Sequence, residues 1–121
     1  MLNYLRLNLR DRSREVFIVV LLNGRNQVLD IIELFEGTLT TSAVYTSAVY
    51  PREVIKLIWE KDAAAVISVD NHPLANPNPS RDNQNITQKL KAACATIDVQ
   101  LHDHLIIAGN NYTSLGDKGM V

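Results

Sequence analysis

Apolar positions along this chain recur at two spacings, and the switches between them mark out alternating helices and strands. Leu5 and Leu9 lie four apart, with Arg6, Arg10 and Arg14 on a neighbouring stripe, which predicts a short amphipathic helix over residues 1–12. Glu15 to Leu22 is almost continuously apolar and reads as a buried strand. Asn23-Gly24-Arg25-Asn26 supplies a hairpin turn and Gln27 to Phe35 the partner strand, ended by Gly37-Thr38. Pro51 opens a helix in a favoured first-turn position. Glu53 lies near its positive end, Val54, Ile55 and Ile58 form its apolar stripe, and it runs to about Lys61. Ala63 to Val69 is short and apolar, a central strand that delivers Asp70 and His72 at its carboxyl end. Three prolines between Pro73 and Pro79 enforce an irregular loop, and Ser80 is an N-cap for a helix reaching about Thr96. Val99 to Ala108 is a further strand, Gly109-Asn110-Asn111 a turn, and Tyr112 to Leu115 a last strand. Helices and strands alternating about a central apolar strand predict an α/β sandwich, and in open α/β sheets sites form at the carboxyl ends of the strands.

One segment interrupts this pattern. Thr41-Ser42-Ala43-Val44-Tyr45 is repeated at once as Thr46-Ser47-Ala48-Val49-Tyr50. Five is odd and strand side chains alternate with period two, so an in-line insertion would reverse every face beyond it. Residues 41–50 are therefore expected in a loop or strand end, where a bulge or longer connection absorbs them.

At 121 residues the chain has room for one core, hence a single domain over 1–121. Apolar residues make up 46% and charged residues 21%, the composition of an ordinary soluble domain. Twelve basic against thirteen acidic residues leave a net charge of -1, which argues against a broad nucleic-acid surface. No apolar run spans a bilayer, the N-terminus lacks a signal-peptide pattern, and a lone cysteine, Cys94, fits a reducing compartment. The expected location is cytoplasmic. Cys94 shares helical spacing with Ile86, Leu90 and Ile97 and is assigned to the core.

The chemistry concentrates in Asp70-Asn71-His72-Pro73, followed ten residues after His72 by Asp82 and then Asn83. A hydrolytic zinc site needs three protein ligands, an open position for water and a nearby carboxylate; this segment reads like such a site with ligands changed. His102-Asp103-His104 is a second His-x-His pattern. Residues two apart on a strand share a face, so its imidazoles could chelate, but a structural role for Asp103 and His104 is the favoured reading.

Several blocks in order resemble the RadC family, whose domain belongs to the JAB/MPN (JAMM) group of zinc metallopeptidases. They are Arg14-Glu15-Val16-Phe17, Glu33-Leu34-Phe35-Glu36-Gly37-Thr38, Tyr50-Pro51-Arg52-Glu53-Val54, Ala63-Ala64-Ala65-Val66-Ile67, Asn71-His72-Pro73, Pro79-Ser80, Ile86-Thr87 and Asp103-His104. The resemblance implies a three-layer, cytidine-deaminase-like JAB/MPN domain, with a mixed central sheet flanked by helices. Longer family members carry a further N-terminal helical region; the matching blocks cover the JAB domain.

In active relatives the resemblance implies two histidines and an aspartate on zinc, a glutamate activating the bound water, and a serine stabilising the oxyanion. Carried over, Glu15 matches the catalytic carboxylate and Ser80 the serine. Asp70 stands where the first histidine belongs, His72 keeps the second, and Asn83 occupies the aspartate position, with Asp82 one residue early. Leu74-Ala75 replaces the family's Ser-Gly after the conserved-type proline, Pro73.

Two imidazoles and a carboxylate have thus become one carboxylate, one imidazole and one neutral amide. Harder oxygen replaces softer nitrogen, which lowers the preference for zinc. Zinc is expected to bind weakly or not at all. Asp82 could substitute for Asn83 only if the first helical turn shifted, since neighbouring helical residues point about 100° apart. Acidic groups in a first turn meet the helix dipole favourably whatever the function. Without metal, Glu15 would be a structural relic.

Two functions follow from the resemblance. One is a JAMM-type zinc metallopeptidase, acting on peptide or isopeptide bonds and weakened or inactive here. The alternative is a non-catalytic JAB binding or scaffold module for a peptide or protein partner. A DNA-repair association comes only with the family's tradition, and the oligomeric state is open.

Overall fold

The structure, a computed structural model, describes residues 4, 5, 9, 15–37, 49–72 and 81–121, with residues 15, 35–37, 49–50 and 81–83 described by their backbone alone. Strands β1 (Glu15–Leu22) and β2 (Val28–Gly37), helix α1 (Val49–Lys61), strand β3 (Ala65–Asn71), helix α2 (Arg81–Ala95) and strands β4 (Gln100–Ala108) and β5 (Asn111–Ser114) follow in that order. Tyr4, Leu5 and Leu9 are also helical. The strands form one mixed sheet in the order β2-β1-β3-β4-β5, in which only β3 and β4 run parallel.

Alternation along the strands builds a core on each face. Phe17, Val19, Leu21 and Val66 pack under Val54 and Ile58 of α1 and Ile86, Leu90 and Cys94 of α2. Val16, Ile18, Val20, Val69, Leu105 and Ile107 point the other way and meet Leu5 and Leu9. β1 is apolar from Val16 to Leu22 because both of its faces are covered. The result is the expected three-layer α/β arrangement. No helix among the described residues is long and apolar enough to cross a membrane.

The first hairpin closes as its residue types require. The Asn23 side-chain oxygen accepts from the backbone N–H groups of Arg25 at 2.9 Å and Gln27 at 3.0 Å, and Asn26 takes a left-handed backbone with φ 60°. The last two residues of the second Thr-Ser-Ala-Val-Tyr copy, Val49 and Tyr50, already belong to α1. The helix therefore begins two residues before Pro51, which still falls in the first turn, where its missing N–H costs nothing. Residues 41–48 lie outside the described residues.

One other expectation changes. Ile97 lies beyond the end of α2 and is 36% exposed, so it does not continue the Cys94 stripe. Cys94 itself is fully buried, and burial pushes its thiol up to about 11, which keeps it protonated and inert at neutral pH.

Candidate functional site

β3 is the central strand, hydrogen-bonded to β1 on one side and β4 on the other, and its carboxyl end carries the candidate residues. Asp70 lies opposite Phe17 of β1 and Ile106 of β4, and is 1% exposed. His72 follows the end of the strand, half-buried, and its backbone N–H donates to the Ile107 carbonyl at 2.8 Å, prolonging the parallel ladder. Continuing the Phe17↔Asp70 register by two residues sets the Glu15 backbone level with His72. The sheet thus brings the backbone of the catalytic-carboxylate position and two ligand positions to one edge.

The rest of the set comes from α2. The helix crosses back from the carboxyl end of β3 to the amino end of the parallel strand β4, so its first turn, with Asp82 and Asn83, starts at the same edge. Their side chains, that of Glu15, and all of Ser80 lie outside the described residues. Among the described residues no three His, Cys, Asp or Glu side chains form a metal-holding group, but this covers only part of the candidate set.

Sequence reasoning assigned Asn71 no role beyond the family motif, and the structure shows one. Its side-chain oxygen accepts from the backbone N–H of Val16 at 2.5 Å, fastening the end of β3 to the start of β1 inside the protein. An asparagine at the carboxyl end of a buried strand was the available signal, because a buried amide needs partners. Asn71→Ala leaves that N–H without its acceptor and is expected to destabilise the fold by about 2 kcal/mol, read as a lower denaturant midpoint at unchanged slope.

A buried polar pair sits one turn of the pleat deeper. His104 of β4 is fully buried, its Nδ1 shares a 2.5 Å hydrogen bond with Ser68 Oγ, and its ring stacks on Phe17 with centroids 6.2 Å apart. Among the described residues its Nε2 has no hydrogen-bond partner. Burial pulls the imidazole down to about 4; nearby Asp103 opposes this and His72 reinforces it. The ring is therefore neutral at physiological pH.

The expectation that His102 and His104 share a strand face is overturned. Leu101 pairs with Val66 but Asp103 pairs with Ile67, so His102 is an extra, bulged residue in β4. His102 Nε2 hydrogen-bonds Asn26 Oδ1 at 2.8 Å, at the hairpin, while His104 bonds Ser68. Asp103 accepts from Ser114 Oγ at 2.5 Å and from the backbone N–H groups of His104 and Gly116, both at 2.8 Å. It joins β4 to the chain after β5, and a Cβ at Gly116 would come within 3.0 Å of its oxygen. Asp103 and His104 are structural, as favoured from the sequence.

Comparison with known proteins identifies the family. Residues 1–120 match the family described as the RadC-like JAB domain. A UPF0758 protein of Shewanella baltica is 44% identical over 119 residues, covering 98% of this chain and 51% of the relative. UPF0758 proteins of Shewanella amazonensis and Shewanella putrefaciens are each 43% identical over the same share. The chain spans about half the length of these relatives.

Proposed function

The chain belongs to the RadC-like JAB domain family, and from that membership we propose that it is a JAMM-type metallopeptidase domain whose zinc affinity is lowered until peptide or isopeptide hydrolysis is weak or lost. The observation that carries this reading is the identity of the residues at the shared edge. Asp70 lies at the carboxyl end of β3, His72 follows that end directly, and Asn83 stands in the first turn of α2. A carboxylate, an imidazole and a neutral amide do not fit a site built for two imidazoles and a carboxylate. Asp70 is also buried at a position where a neutral imidazole would carry no charge to desolvate.

A non-catalytic binding role for a peptide or protein partner is favoured by the same exchange, which leaves the edge without the family's full set of zinc ligands. Metal content tests the loss of zinc affinity on which both roles rest. Protein purified without chelator is expected to hold zinc far below one ion per chain, and stoichiometric zinc that Asp70→Ala removes would overturn the proposal.

A further inference from the structure

We propose that the groove beside Trp59, at the opposite edge of the sheet from Asp70 and His72, docks a basic, partly apolar segment of a partner protein by taking a Lys or Arg side chain against the indole. The groove, about 300 Å³, is lined by Ile58, Trp59, Asp62, Ala63, Ile97 and Val99. It lies where α1 and α2 end and β3 and β4 begin, about 20 Å along β3 from the candidate hydrolytic edge. The inference is independent of whether that edge binds metal.

Three features converge on a cation with an apolar stem. Trp59 is 83% exposed, and the face of an indole attracts ammonium and guanidinium groups. Ile97, 36% exposed, and the floor of Ile58, Ala63 and Val99 suit the methylene stem and an apolar neighbour. The electrostatics are those of an unmet anion. A helix C-terminus carries partial negative charge and is normally met by a basic residue, yet α2 has none in its last turn. The one in α1, Lys61, is turned to Asp30 at 3.4 Å. Beyond each helix end stands an aspartate instead, Asp62 and Asp98, with φ 54° and 56°.

Asp suits the left-handed backbone of a helix end, but Asn suits it equally without adding negative charge to a negative end. Both carboxylates are exposed, and among the described residues neither is engaged by a side-chain partner. Asp62 lines the groove itself, while Asp98 stands beside Val99, the residue the groove shares with a neighbouring cavity that Asp98 lines together with Lys91.

Trp59 is the chain's only tryptophan, so its fluorescence reads the groove directly. The full chain is titrated with acetyl-Ile-Arg-Ile-Lys-Ile-amide and with the acidic counterpart acetyl-Ile-Glu-Ile-Glu-Ile-amide. A saturable change is expected with the basic peptide alone. Asp62→Asn with Asp98→Asn should weaken it about tenfold while leaving the melting temperature equal or higher. Four results would overturn the proposal. They are no saturable change up to about 1 mM, equal affinity for the acidic peptide, undiminished binding by the double variant, or a Trp59 signal that changes on diluting the protein alone, which would make a second copy the occupant.

Discussion

Asp70→His combined with Asn83→Asp is expected to bind zinc stoichiometrically and at least about a hundredfold more tightly than the parent chain. The magnitude follows from the ligands exchanged. Altering groups that merely orient a zinc ligand commonly costs about 10 to 100-fold in affinity, and two ligand positions are altered here. Each substitution alone should recover only part of the gain, because tetrahedral zinc needs three protein donors and either single variant still presents one mismatched group. The alignment is tested at the same time. Asp82→Ala should leave the restored affinity unchanged if Asn83 is the ligand position, whereas abolished binding would assign the role to Asp82. Competition against a chromophoric chelator measures all five proteins, the parent included. A double variant with no gain in affinity would mean that the edge is not a metal site in this chain.

The second large effect is on stability in acid. His104 has its imidazole lowered to about 4 by burial, against about 6.5 in an unfolded chain. Below pH 6.5 the unfolded state therefore takes up a proton that the folded state refuses. Stability from this group is complete above pH 6.5, falls as pH drops towards 4, and is level below that. The full loss is about 3 kcal/mol. Carboxylates titrate in part of the same window, so the comparison is between the parent and His104→Asn, whose amide can still meet Ser68. Denaturant unfolding at pH 7 and pH 4.5 should show a loss smaller by about 2.5 kcal/mol in the variant. Equal losses would mean that His104 is protonated in the folded protein.

Much of the architecture was legible because this chain states it by simple means. Eight residues from Glu15 to Leu22 with little polar relief can only be a strand covered on both sides, and the structure covers them with α1 and α2 on one face and Leu5 and Leu9 on the other. Ends were less legible. A helix can begin before a proline as well as at one, so Pro51 marks the first turn of α1 without marking its first residue. Period-two reasoning failed at His102 because nothing local distinguishes a bulged residue from a regular one. That shift is visible only in the pairing of β4 with β3.

The candidate site divides the same way. Asp70, His72 and Asn83 could be found by counting along the motif, and β3 and α2 bring their positions to one edge. The hydrogen bond from Val16 to Asn71 and the pair Ser68 with His104 join residues 55 and 36 positions apart, and depend on strand order that no spacing encodes.

The bulge at His102 makes β4 a strand of two phases. Before it, Leu101 faces the helix pair; after it, His104 does, three positions later, where strict alternation would have turned Asp103 inward. One extra residue thus decides which of two adjacent polar side chains is kept dry. It places the group that can shed its charge against Phe17, and leaves the carboxylate to the rim, where hydroxyl and amide hydrogens await it.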